Sequence, residues 1–338
     1  MHISYRNKIL LRKLLRVLLI LLAFALVAGI LLVIYLEPFV VYDRDGAHLD
    51  MDGRLTQVAT PNEPAAPRPV IENPQIIYAS GAAMNKTIQE MGGYYISTAM
   101  LQDPEAVFEE VKKIEEPCAV MIQLKSRFGN YYYSSSISGT QKADVRVTVV
   151  DQMITYLSNK GFYLIAEIPA FTDPVFALDH QECGLPVAGG YLWMDEYGCY
   201  WLDPADEQVL SYLSQIAREL SGRGFREIAF SDYRFPDTNS ISYNSEKTRS
   251  EIIAESAAQL TANFAGSSTV ISFVSTADDF PVESCTGRMY VKDVSGSKVT
   301  HYQQTYGAAG TLTEIVYIVN SRDTRFEDQA VLRPLIAD

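Results

Sequence analysis

The chemistry open to this chain is that of carboxylates. Among its 338 residues 41 are Asp or Glu, whereas only four are His. No Ser-His-Asp or Cys-His spacing is visible, so a nucleophilic triad has no candidate members. Two stretches place an acid where a site can form. Phe162–Ile168 is an apolar run that carries Glu167 near its end, and Ile228-Ala229-Phe230 runs into Ser231-Asp232-Tyr233-Arg234 before Pro236 stops it. A buried parallel strand reads this way when its C-terminal end opens into a pocket. Paired carboxyls cleave glycosidic bonds, with retention at a separation of about 5–5.5 Å and inversion at about 6.5–9.5 Å. Glu167 and Asp232 are the candidate pair.

Aromatic and polar side chains gather around those stretches: Tyr131-Tyr132-Tyr133, Tyr191, Trp193, Tyr197, Tyr200, Trp201 and Tyr233. Flat rings with a polar edge suit the faces of sugars. Trp193, Trp201 and Tyr233 are therefore candidate substrate platforms, and Lys125, Asp173 and Arg234 candidate polar contacts. Each has a purely structural alternative. The aromatics can pack the long loop Pro169–Leu202 onto the body. Asp173 before Pro174 and Asp203 before Pro204 can cap helices. Glu167 can pair with Lys125, and Arg234 with Asp232 or Asp237. No cofactor or metal is expected. No Gly-rich phosphate loop follows any strand, and His180-x-x-Cys183 with Cys199 lacks a fourth ligand at a zinc-like spacing.

The elements that must position these residues alternate. The expected strands are Tyr94–Thr98, Ala119–Lys125, Phe162–Ile168, the stretch around Ile228–Phe230, Thr269–Val274, Arg288–Val294, Glu314–Asn320 and Val331–Ile336. Between them, Asp103-Pro104 opens a helix with Val107, Phe108, Val111 and Ile114 on one face. A second helix runs over Asp144–Asn159, and a third begins at Asp203-Pro204. A fourth follows Ser245. Repeated β-α units predict a parallel sheet with helical cover. From Tyr94 onward 245 residues remain, close to the roughly 250 of a (β/α)8 barrel. The fold class expected is therefore α/β, a TIM-like (β/α)8 barrel over residues 76–338 whose second half is trimmed or irregular. Strand alternation turns Gln123, Lys125, Glu167, Ala229 and Ser231 inward, and Asp232 toward the helices unless the strand has already ended.

Ahead of the barrel the character changes. Residues 1–16 hold Arg6, Lys8, Arg12, Lys13 and Arg16 and no acid. Removing those five bases from 28 leaves 23 against 41 acids, so residues 17–338 carry −18. A body this acidic repels phosphates, which excludes nucleic acid as a partner. Val17–Leu36 is uncharged and long enough for a bilayer core at ~1.5 Å per residue. The basic flank places residues 1–37 as a cytoplasmic tail and transmembrane anchor, with the body outside the cell. Residues 38–75 form a hairpin around Asp43-Arg44-Asp45-Gly46 and then a spacer rich in proline. An outside location permits disulfides, and Cys183 and Cys199, which share one loop, are the expected bridge.

Several motifs resemble a known family, the glycoside-hydrolase-like barrels of bacterial surface proteins. Gly93–Ser97 looks like its opening strand, and Met121-Ile122-Gln123-Leu124-Lys125 is similar to its V-I-D-V-K. Ile165-Ala166-Glu167 with Phe171-Thr172-Asp173-Pro174 resembles I-A-R…F-x-D-P. Trp201-Leu202-Asp203-Pro204 matches W-L-D-P, and Glu227–Pro236 resembles E-I-x-F-D-Y-V-R-F-P. The resemblance covers residues 90–260 and implies a hydrolase acting on a cell-surface or extracellular polysaccharide. Gln123 and Ser231 stand where the family carries acids, and Glu167 where it carries arginine. Two further readings follow from those changes: a barrel that binds envelope glycan without cleaving it, and an envelope scaffold with no glycan.

Overall fold

The computed structural model describes residues 40–43, 46–49, 93–275, 287–307 and 315–336. The chain divides into two compact units, Met1–Ile76 and Ile77–Asp338. In the first, β1 (Val40–Asp43) pairs antiparallel with β2 (Gly46–Leu49), with Asp43 opposite Gly46 as the turn residues predict. The expected anchor Val17–Leu36 and the proline-rich spacer lie outside the described residues. No helix among the described residues is long and apolar enough to cross a membrane.

The second unit contains β3 (Gly93–Ile96), β4 (Ala119–Gln123), the short β5 (Asn130–Tyr131) and β6 (Gln141–Lys142), then β7 (Tyr163–Pro169), β8 (Glu227–Ser231), β9 (Val270–Ser275), β10 (Met289–Lys292), β11 (Ile315–Ile318) and β12 (Ala330–Pro334). β5 and β6 pair with each other outside the barrel. The other eight close into a barrel in chain order, β12 returning to β3. All eight pairings are parallel. The helices are α1 (Pro104–Lys112), α2 (Val147–Asn159), α3 (Pro174–Asp179), α4 (Glu207–Gly222), α5 (Arg249–Ala262) and α6 (Val299–Gly307). Between β11 and β12 the described residues hold a 3-10 turn, Thr324–Phe326.

Strands buried on both faces explain the apolar runs. Along β4 and β7, Ala119, Met121, Tyr163 and Ile165 point into the barrel, where they meet Tyr95, Ala229, Val274, Tyr290, Val316 and Leu332. Val120, Ile122, Leu164 and Ala166 point outward and join the larger core under the helices. The interior is packed rather than open, as barrels of this size are. Near its N-terminal end sits a buried polar layer in which Glu227 meets Arg288, Tyr163, Tyr290 and Ser272. Gly93 lets β3 approach β4: a Cβ there would lie 2.7 Å from the Ala119 carbonyl oxygen.

Helix starts differ from expectation in three places, one of them α2, which begins at Val147 rather than Asp144. Asp103 caps α1 by accepting from Ala106 N, as expected. Asp203 does not cap α4; Asp206 does, accepting from Gln208 N and Val209 N. A turn at Pro204-Ala205 delays the helix, and the Asp203 carboxylate is taken by Ala205 N and the Tyr243 hydroxyl instead. Ser245 likewise yields to Thr248, which forms a reciprocal capping box with Glu251 on α5.

The expected Cys183–Cys199 bridge is absent, and both thiols are free and buried. Cys183 Sγ lies against the Asp206 and Gln208 side chains, whereas Cys199 Sγ points to the Arg127 carbonyl. Burial pushes both thiols up to about 12, and Cys118 up to about 11. A thiolate is the reactive form, so these cysteines are shielded twice, by access and by acidity. In native protein at pH 7.5, iodoacetamide should leave Cys118, Cys183 and Cys199 unmodified after an hour, and denaturation should expose all three. Peptide mass mapping reads the result, and rapid native labelling at any of them would contradict the burial.

Candidate active site

β7 supplies the floor of the site. Tyr163, Ile165 and Glu167 alternate inward, and Glu167 is the last of them, at the C-terminal end where barrel chemistry occurs. Its side chain is 1 % exposed. Both carboxylate oxygens accept from Lys292 Nζ, at 2.6 and 2.7 Å, and Oε2 also accepts from the Tyr95 hydroxyl at 2.9 Å. Lys292 Nζ reaches the same hydroxyl at 2.8 Å. Burial, then the negative charges of Glu167 and Asp293, push the Tyr95 phenol far above its ordinary value, so it remains a neutral donor. Beside it, the Gln123 carbonyl accepts from Thr98 N and Thr98 Oγ1, each at 3.1 Å. Those two bonds set the amide's orientation.

The cation on Glu167 is thus Lys292, not Lys125. β4 ends at Gln123, so the inward alternation does not extend to Lys125. Lys125 bridges to Tyr131 and turns its ammonium onto Asp173 Oδ2, at 2.8 Å, with both side chains at or below 1 % exposure. Tyr212 donates to the same oxygen, and Asp173 Oδ1 caps α3 at Phe176 N. These two candidate contacts therefore pair with each other, while Lys292 takes the Glu167 carboxylate.

Asp232 follows β8 directly. The strand ends at Ser231, and Asp232 takes a left-handed backbone, φ 49°. Its half-buried carboxylate accepts from Thr172 Oγ1 at 2.9 Å. The only other non-glycine residue with positive φ among those described is Asp293, at 53°, directly after β10. Such conformations cost of order 1 kcal/mol or more outside glycine and cluster at functional sites. No hydrogen bond joins Glu167 to Asp232. Lys292, Tyr95 and Asp293 escaped the sequence reading, although the alternation Tyr290-Lys292 on β10 was there to place the lysine inward.

The aromatic candidates separate into two groups. Tyr233 is core: its ring lies between Phe171 and Phe273, and its hydroxyl donates to Ser256 on α5. Trp201 is 2 % exposed. Its indole N–H donates to Asp195 Oδ2, which also receives Arg127 Nη2. Burial pushes the Asp195 carboxyl up, but the Cys199 amide, the Trp201 indole, Arg127 and the Tyr197 amide outweigh it and hold the group below its usual value. Trp193, half-buried, meets Trp201 edge-on at 6.2 Å, and the Arg234 guanidinium lies 5.2 Å over the Trp201 ring. Tyr191 and Tyr197 on the same loop are well exposed. Trp193 and Arg234 thus reach the surface on a buried tryptophan base. Among the described residues no cluster of His, Cys, Asp or Glu could hold a metal.

Residues 93–294 match the model of a family described as "Putative glycosyl hydrolase domain". Among solved structures, a hypothetical protein from Ruminiclostridium thermocellum ATCC 27405 is 26 % identical, covers 54 % of this chain and 96 % of its own, and gives a TM-score of 0.46. A glycoside hydrolase family 20 β-N-acetylglucosaminidase is 10 % identical, with coverage of 67 % here and 52 % there and a TM-score of 0.44. The glycoside hydrolase domain of PelA from Pseudomonas aeruginosa is 14 % identical, with coverage of 70 % and 86 % and a TM-score of 0.42. The chain thus spans about half the length of the acetylglucosaminidase, at 52 %. No curated protein matches.

Proposed function

The chain belongs to that glycosyl hydrolase domain family through residues 93–294, and from this premise we propose that it is a membrane-anchored, outward-facing barrel that hydrolyses a polysaccharide of the cell envelope. The anchor rests on the uncharged run Val17–Leu36 and the basic residues before it. The observation that carries the enzyme reading is Glu167: a buried carboxylate at a strand's C-terminal end, held by Lys292 and Tyr95. Placed there, it opposes the positive charge that develops at an anomeric carbon. Asp232, open to the rim, exchanges the proton. It protonates the glycosidic oxygen as that bond breaks, and it recovers a proton from the water that adds to the anomeric carbon. The family acids' places are held by Gln123 and Ser231, so this pairing is particular to the chain.

A non-hydrolysing reading has one observation in its favour. Both Glu167 oxygens are already occupied by Lys292, as in a structural ion pair. Reducing-end release from envelope polysaccharide, measured beside glycan retention, decides between them. The hydrolase reading expects release by the wild type and a loss of about a hundredfold in Asp232→Asn, a usual contribution for a positioned proton donor. Retention without release makes the protein a glycan-binding barrel. Neither release nor retention leaves an envelope scaffold.

A further inference from the structure

Among the described residues Arg234 is a cation without a carboxylate partner, in a chain of net charge −13. Its Nη1 donates to the carbonyl of the adjacent Phe235, and its Nε is buried with no hydrogen-bond partner. Among the described residues it forms no ion pair, although Asp232 and Asp237 lie close in sequence. The nearby Arg127, by contrast, is neutralised by Asp195. The guanidinium is also held in place: it stacks on Trp201, whose indole is pinned to Asp195. Trp201 in turn pairs with Thr172, the residue that binds Asp232. A guanidinium with no ion pair among the described residues therefore shares Trp201 with two neighbours: Thr172, which binds the candidate proton donor, and the half-buried Trp193, which meets the Trp201 ring edge-on.

From this arrangement we infer that Arg234 and Trp193 form a subsite for an acidic sugar, the guanidinium taking the carboxylate of a hexuronic acid and the indole covering the ring. The inference rests on the carbohydrate reading above and narrows its substrate class. A planar fork meets a carboxylate through two parallel N–H···O bonds, which an ammonium cannot reproduce. The body's negative charge argues against broad attraction of a polyanion. Its reach is confined to about 8 Å at physiological salt, so recognition depends on a local cation such as this one.

The test is an array of uronate-containing oligosaccharides beside their carboxyl-reduced, neutral counterparts and sulfated chains, probed with the full chain. The wild type should retain uronate oligomers at least tenfold more tightly than the reduced ones. Arg234→Gln should erase that preference, so that uronate and reduced oligomers are retained alike, and Arg234→Lys should restore only part of it. The wild-type comparison needs no variant and stands even if Arg234→Gln fails to fold. Neutral or sulfated glycans bound in preference to uronates would overturn the acidic-sugar subsite and leave the carbohydrate reading intact. Uronate preference unchanged in a folded Arg234→Gln would overturn the assignment to Arg234. No glycan of any class retained would remove both.

Discussion

Arg288→Met is expected to lower the folding free energy by about 3–5 kcal/mol, the usual penalty for leaving a buried charge without its partner. The charge in question is Glu227, fully buried at the N-terminal end of the barrel. Its Oε2 accepts from Arg288 Nη1 at 2.5 Å and the Tyr163 hydroxyl at 2.9 Å, and its Oε1 accepts from Ser272 at 2.6 Å and Tyr290 at 2.8 Å. The hydroxyls would remain after the substitution, but none carries charge. Burial and then the charge of Glu227 raise the Tyr290 phenol well above its usual value, so it stays a donor and cannot offset a second anion. Urea denaturation should show the midpoint falling with little change in slope. The double variant Arg288→Met, Glu227→Leu should recover much of the loss, because desolvating an ion pair nearly cancels its attraction. A single-variant cost below about 1 kcal/mol would mean that Glu227 is neutral or hydrated, against its fourfold set of donors.

The central strands β4, β7 and β8 were legible because they are buried along almost their whole length and so read as apolar runs. The inward direction of Glu167 followed from the period of two, since it lies well inside β7. The same rule misplaced Lys125, because alternation holds only while the strand continues and β4 stops two residues earlier, at Gln123. Residues past a strand end answer to the loop they enter. Asp232 shows the same limit from the other side: the strand had ended, and the left-handed backbone at that position redirects its carboxylate to Thr172. Helix caps were legible in part. Thr248-x-x-Glu251 carried a readable capping box, whereas Asp203-Pro204 imitated a start that the turn at Pro204-Ala205 postpones to Asp206. The aromatic cluster was visible as composition only. Which rings face solvent depends on packing partners such as Phe171 and Phe273, which are distant in sequence from the Tyr233 ring they hold.

Lys125→Met should cost a similar ~3–5 kcal/mol, but with a consequence for the site that the barrel floor does not share. Lys125 is the only charged partner of Asp173 among the described residues, and both are almost fully buried. Tyr212 and Tyr131 extend the cluster through hydroxyl bonds of 2.8 and 2.6 Å. Asp173 starts α3, and the preceding Thr172 both pairs with Trp201 and holds Asp232. Stress at Asp173 therefore passes directly into the segment that carries the proposed proton donor and the Arg234 platform. Limited proteolysis should cut Lys125→Met between Asp179 and Asp203 well before the barrel unfolds, and glycan retention should fall in parallel. Arg288→Met, of comparable cost, should show no such early cleavage. If both variants instead lose the loop and the barrel together, the pair stabilises the whole domain, and Asp232 and Arg234 do not owe their positions to Lys125.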